Sequence, residues 1–552
     1  MDKKNIIAIL LIAVIWGGYF IFFKPDKPAK KPEAVKTESA KAIEGEKTGK
    51  TEGAMNIVAT GNKGAEKDIS VKTKKYAMTL STKGAAITGC TYLERNIDLI
   101  VKKNPFNARG ALDFSMSFND DEFVKGNNLS NALWLVREDG NRITFFTDIQ
   151  MDGNPVRIEK TYLFQNDGYG FKIEYRLKNN GKNEIAFRNG SAMVSPAEIL
   201  GPTLDYTNTY NRLMSVYSIG GSFKKADKGG GGFFLGCGSS SGGDALVKET
   251  GAINWAGIMS RYFLLIMIPE DGAGKSVIHD NRKDAGFRTG MYIGLNKLEP
   301  GKEIKKSFKV YLGEKEKKKL ASFDKAIVDA ADVNSLIEPI RDFVIWCLIS
   351  INKLIGNLGW ALVIFSILTK VVFMPLTIKS TESMKKMQQL TPKLNELKAK
   401  YKDKPDQMQK EMMKLYRENK VNPMGGCLPL LLQMPFFFAL YSALIDSIDL
   451  WQAPFIFWMK DLSMPDTVLT ISGFNLNILP IIMTVSTFFQ SKLSTVDTGG
   501  QQKMMMMMMP LIFIFIFWSM PSGLVLYWAL QNIFQIAHQL IINKRSQMEK
   551  AS

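Results

Sequence analysis

Six apolar runs, each close to the length needed to cross a bilayer, constrain this 552-residue chain more than any other feature: residues 6–23, 355–376, 428–444, 474–489, 504–520 and 524–542. A helix rises about 1.5 Å per residue, so about 18 residues span roughly 27 Å of hydrocarbon, where every backbone N–H and C=O must be paired within the segment. The runs are therefore expected to be six transmembrane helices. The bulk composition hides this, because 46% hydrophobic and 22% charged residues is close to a soluble average. The chain is basic, with 71 Lys+Arg against 53 Asp+Glu for a net charge of +18. The placement of that charge sets the orientation.

Residues 1–23 read as an N-terminal uncleaved signal anchor: a short basic lead, an apolar run, and Lys24-Pro25-Asp26 where a cleavage site would need small residues. Its start is expected in the cytoplasm, and six crossings return the C-terminus there. Loop charges agree. Residues 377–424 hold twelve Lys/Arg and six Asp/Glu, while 445–473 hold one Lys and four Asp, and the tail (546–552, with Lys544 and Arg545 just before it) is basic. Lys and Arg in short loops stay on the cytoplasmic side. Residues from about 24 to 340 are then exported. Within them, 24–68, rich in Lys, Pro, Glu and Ala with almost no aromatics, read as a flexible linker.

Residues 69–320 change to short alternating segments. Phe171, Ile173, Tyr175 and Leu177 alternate with Lys172, Glu174 and Arg176, between Asn166-Asp167-Gly168 and Asn179-Asn180-Gly181. That is the period-two pattern of a half-buried strand between turns. Similar strands are predicted near 142–146, 156–164, 261–268 and 304–312, and together they predict a large all-β sandwich. Two motif matches there lack their structural setting. Gly238-Ser239-Ser240-Ser241-Gly242 sits in a glycine-serine stretch rather than a strand-to-helix elbow, and Gly274-Lys275-Ser276 lacks the leading glycine of a phosphate loop. The four cysteines include no CxxC and there are two histidines, so no metal site and no cofactor are expected.

From 321 to 545 the spans form a five-helix membrane core. Residues 316–334 read as an amphipathic helix, either on the membrane surface or as a solvated connector. Phe343 to Ile351 either extend the next helix or bend near Gly356. Residues 379–422 predict a basic helical hairpin with Met387, Leu390, Leu394, Leu397 and Tyr401 as its seam and Met408, Met412 and Leu415 on the second arm. Pro392 interrupts its first helix or starts a new one, capped by Thr391. Lys385, Lys386, Lys398, Lys400 and Lys402 make it a candidate surface for anionic lipids or a ribosome.

Lys370 is the sharpest residue. A charge at bilayer depth costs roughly 2.5–3.5 kcal/mol on insertion scales. It either snorkels to the cytoplasmic interface or faces a hydrated, substrate-lined recess. Ser366 lies one turn before it, Gln433 in the next span, and Thr484, Ser486, Thr487, Gln531, Asn532 and Gln535 in later ones, as a partly hydrated groove would require. Met504, Met505, Met506 and Met507 begin a six-methionine run whose flexible thioethers either suit a surface that accepts many apolar shapes or face lipid as apolar filler. A secondary transporter of a small anion is the alternative; it predicts internal repeats and broken helices, and no repeated half is visible.

Asn422-Pro-Met-Gly-Gly-Cys-Leu-Pro-Leu-Leu-Leu-Gln-Met-Pro-Phe436 and Pro521-Ser-Gly-Leu-Val-Leu-Tyr-Trp528 closely resemble signatures of the YidC family of bacterial membrane protein insertases, which also includes organellar members. The large exported domain is similar to the Gram-negative form. The resemblance implies a multi-pass protein of the bacterial inner membrane with a periplasmic β-supersandwich and a hydrophilic groove open to the cytoplasm. It implies no enzyme activity. The implied function is insertion and folding of nascent membrane proteins, alone or with the Sec translocon. Lys370 matches the family's groove cation, usually Arg. Ser366 matches a groove hydroxyl, Gln433 a groove amide, and Tyr527 and Trp528 a substrate-contacting aromatic pair in which the second residue is commonly Tyr.

Overall fold

The computed structural model describes residues 57–59, 65–100, 111–125, 128–187, 190–197, 199–202, 213–226, 246–280, 288–295, 297–332, 336–401, 404–419, 421, 428–471, 474–494, 510 and 512–551. The anchor 1–23, most of the linker, residues 238–242, Met504 to Met507 and Lys402 lie outside them. The chain divides into two compact units at Val333 and Asn334.

The first unit is built on a 14-stranded antiparallel sheet. Its long strands are β1 (Arg142–Met151), β2 (Asn154–Phe164), β3 (Gly170–Asn179), β4 (Leu246–Met259), β5 (Phe263–Pro269), β6 (Gly274–Asp280), β7 (Arg288–Gly294) and β8 (Glu303–Glu314), in the order β1-β2-β3-β8-β5-β4-β6-β7. The alternation read from β3 is the alternation buried: Phe171, Ile173, Tyr175 and Leu177 are all in the core. Gly274-Lys275-Ser276 opens strand β6, which excludes a phosphate loop. A separate four-stranded sheet covers Asp68–Lys72, Tyr76–Ser81, Ala86–Tyr92 and Ile97–Asp98. It meets the large sheet where Tyr92 packs edge-on to Phe263, ring centroids 5.6 Å apart.

The segment expected on a membrane surface or in solvent instead closes this unit. Helix α1 (Lys317–Phe323) and the 3-10 turn Lys325–Ala331 bury Leu320, Ile327, Ala330 and Ala331 against Trp255, Met259, Leu264, Ile266 and Tyr311. The Asp324 carboxylate caps the turn by accepting from Ala326 N at 3.0 Å. The apolar stripe was read correctly and its partner was not: it covers β4, β5 and β8. The boundary expected at 320 thus moves to 333. Beside this contact, Lys319 Nζ lies 3.0 Å from both Glu94 and Glu314, and Arg95 Nε donates to Glu314 at 3.2 Å.

The second unit is helical: α2 (Glu338–Ile355), α3 (Leu358–Lys400), α4 (Pro405–Glu418), α5 (Leu428–Asp446), α6 (Ile478–Ser494) and α7 (Ser522–Ala551), with residues 512–517 also helical. Gly356 ends α2 at φ 75°, a left-handed cap that glycine adopts freely, so Phe343 to Ile351 belong to a helix of their own and the chain bends before α3. Helix α3 runs 43 residues through Pro375 and Pro392. The expected break at Pro392 is absent, and the Thr391 hydroxyl bonds back to Met387 O at 3.4 Å rather than capping a new start. Among the described residues one stretch, Leu358–Met387, is long and apolar enough to cross a bilayer, and Ile478–Leu493 is a shorter apolar helix.

Helix α6 begins at Ile478, four residues later than expected, because Phe474–Asn477 pairs with Thr467–Ile471 as a hairpin. Asp466 fixes that start by accepting from Ile478 N and Leu479 N at 3.0 and 2.7 Å. One apolar core joins α2, α3, α5, α6 and α7 through Leu348, Phe365, Phe437, Leu444, Met483 and Val525. A smaller one holds α3 to α4 with Leu390 and Leu394 buried against Met412 and Leu415, the seam the spacing predicted.

Candidate functional site

Three helices bring their polar residues together inside the apolar core. Helix α3 contributes Ser366, Thr369 and Lys370, α7 contributes Tyr527, Gln531 and Gln535, and α5 contributes Gln433. Gln531 Nε2 donates to Ser366 O at 3.0 Å and to Thr369 Oγ1 at 3.2 Å. Gln433 Nε2 donates to Tyr527 Oη at 3.2 Å. At one end, Lys370 Nζ donates to Gln535 Oε1 at 2.7 Å. Nearby, Asn532 Nδ2 ties α7 to α6 through Ser486 Oγ (3.2 Å) and Thr487 Oγ1 (2.8 Å). Tyr527, Gln531, Asn532 and Ser366 are buried, whereas Lys370, Gln433 and Gln535 are half-buried.

The chemistry follows from the partners. An ammonium has three donors and no acceptor, so an amide oxygen satisfies one of them while leaving the charge intact. Among the described residues Lys370 has no carboxylate partner. The arrangement can hold an anionic or strongly accepting group, but it offers no nucleophile with an adjacent base.

The chain's two halves match two known families: residues 68–338 match the YidC periplasmic domain, and residues 350–550 match the 60Kd inner membrane protein family. The membrane protein insertase YidC of Leptospira interrogans is 31% identical, aligned over 100% of this chain and 98% of its own length. That of Pelobacter propionicus is 30% identical over 99% of each. The chain belongs to the YidC family. Among solved structures, an active YidC insertase with its first transmembrane domain resolved aligns over 88% of this chain and 93% of its own at 18% identity and a TM-score of 0.35. The assignment rests on the sequence relatives. It makes this an inner-membrane protein of an insertase family, not an enzyme, and these relatives give no support to an anion transporter.

Within this YidC chain, the expected site residues divide. Lys370, Gln433 and Tyr527 enter the polar file. Ser366 joins it through its carbonyl, because its hydroxyl is wholly buried and donates to Leu362 O at 2.7 Å. Trp528 points into an aromatic cluster, 5.2 Å from Phe437, 5.5 Å from Phe517 and 6.0 Å from Phe513 between centroids. Of the hairpin lysines, Lys386 and Lys400 are exposed on α3, Lys398 lies on the same helix, and Lys385 Nζ reaches Ile542 O at 3.4 Å. Sequence reading missed Thr369, which follows no pattern of its own. It noted Gln535 as polar but had no means to pair it with Lys370, 165 residues away.

Proposed function

We propose that this insertase admits a nascent membrane protein from the cytoplasm into a groove lined by Lys370, Gln433 and Tyr527, and releases its apolar segment sideways into lipid. One observation carries the reading: a cation on an apolar helix whose described partner is a neutral amide. Lys370 transiently stabilises an acidic or polar flank of the client, offsetting the cost of bringing it to membrane depth. The apolar segment then leaves along the span whose sequence contains Met504 to Met507. Burial of about 20 apolar residues and, for charged flanks, the membrane potential drive the step without nucleotide or metal.

The topology belongs to the same proposal. Six spans place both termini in the cytoplasm and residues 24–340 in the periplasm, with the two sheets of the first unit forming the β-supersandwich. The loop charges support this orientation. The basic hairpin and tail meet anionic lipids and the ribosome, and the Sec translocon is a partner for larger clients.

The test is reconstituted insertion with Lys370→Ala, Lys370→Arg and Lys370→Glu. Arg retains insertion of acidic-flanked clients, whereas Ala and Glu lose it by about tenfold or more, equivalent to at least about 1.4 kcal/mol. A Glu variant that inserts such clients as well as the parent contradicts the reading.

A further inference from the structure

We infer that Gln535 is a displaceable stand-in for the client: its amide oxygen occupies Lys370 at rest, a client carboxylate displaces it, and His538 then takes the released oxygen. The inference rests on the groove reading above and adds to it the residues that set client preference.

Three observations lead there. The first is the 2.7 Å contact of Lys370 Nζ with Gln535 Oε1, which orders the cation without neutralising it. The ammonium–amide bond is already charge-assisted, but a carboxylate adds the attraction of a full opposite charge, so it outcompetes the amide for this ammonium. The second is the fate of the displaced oxygen. Gln535 is half-buried, so its released amide oxygen loses a partner that must be replaced for the exchange to be favourable. The third answers that problem. His538 stands three residues after Gln535, where side chains one turn apart are neighbours. Its Nδ1 is buried and, among the described residues, has no hydrogen-bond partner. In the tautomer protonated at Nδ1, it donates to the released Gln535 Oε1. The exchange then leaves neither side chain without a partner: Lys370–Gln535 breaks, while Lys370–client and His538–Gln535 form.

The experiment uses the full-length protein in proteoliposomes and two single-span clients that differ only by Asp or Asn in the flank. The readout is the ratio of Asp-client to Asn-client insertion, because a purely structural role lowers both together and leaves the ratio unchanged. Gln535→Glu places a permanent carboxylate on Lys370 and lowers the ratio about tenfold. Gln535→Leu removes the competitor, and the Asp client half-saturates at lower concentration. His538→Phe raises that half-saturation in the parent background and has no further effect in Gln535→Leu, since no oxygen is then released. A Gln535→Glu ratio equal to the parent's, or a His538→Phe effect that persists in Gln535→Leu, overturns the exchange. If Lys370→Ala also keeps the parent's ratio, the groove reading itself fails. If Lys370→Ala loses the ratio while Gln535→Glu keeps it, only the exchange fails.

Discussion

The two units each withdraw a lysine from water, and they treat it in opposite ways. In the β unit, Lys319 has a side chain 16% exposed and is clasped by Glu94 and Glu314. Burial alone would lower its pKa, but Glu314 and Glu94 outweigh burial and hold it above the ordinary lysine value. In the helical unit, Lys370 meets the amide of Gln535. A buried cation whose counter-charges lie within the fold is part of the architecture; one that meets a neutral dipole has its charge uncompensated by that partner. The distinction lies in the partner, not in depth.

Replacing Lys319 should expose this difference most strongly. Lys319→Ala leaves Glu94 and Glu314 without their shared cation and is expected to destabilise the β unit by about 3 kcal/mol. Denaturant unfolding of the full chain in detergent, followed by a β-unit probe, measures it. Acid attacks the same clasp. Burial raises the Glu94 pKa, but Lys75, Tyr92 and Lys319 more than reverse this and hold it at about 2. Because the folded value is depressed, the contribution of Glu94 is complete above its unfolded pKa of about 4.3 and is lost as pH falls from there through about 2. Hydrogen exchange in α1 should rise over that window, and flat exchange down to pH 2 would break the comparison from the β side.

Lys370→Met is the matched test on the helical side. Stability is expected to stay within about 0.5 kcal/mol of the parent or to rise, since no ion pair is lost, while insertion of acidic-flanked clients falls about tenfold. A large loss of stability would make Lys370 another structural cation. The smallest effect is expected at Trp528, which packs among Phe437, Phe513 and Phe517. Trp528→Phe should cost about 1 kcal/mol in unfolding and leave discrimination between Asp and Asn clients unchanged.

What the sequence disclosed was local. Alternation marked Phe171 to Leu177 as a strand, heptad-like spacing marked Leu390 and Leu394 as a helical seam, and one charge in an apolar run marked Lys370. The misreadings concerned partners distant along the chain. Periodicity gave residues 316–334 an apolar stripe without saying that β4, β5 and β8 would cover it. The start of α6 was set by Asp466, 12 residues before Ile478. Ser366 was legible as a polar residue on the face of Lys370, yet a hydroxyl within a helix often bonds to its own i−4 carbonyl, as this one does to Leu362. The pairing of Gln535 with Lys370 needed the packing of α7 on α3, and no local pattern encodes it.

The proposed groove turns on a charge exchange between residue 370 and the client flank. Insertion by the parent and by Lys370→Glu should be measured with two clients identical except for Asp or Lys at one flanking position. A crossover is expected: the parent favours the Asp client, the Glu variant loses it, and the Glu variant gains the Lys client. Equal handling of both clients by both proteins would contradict it.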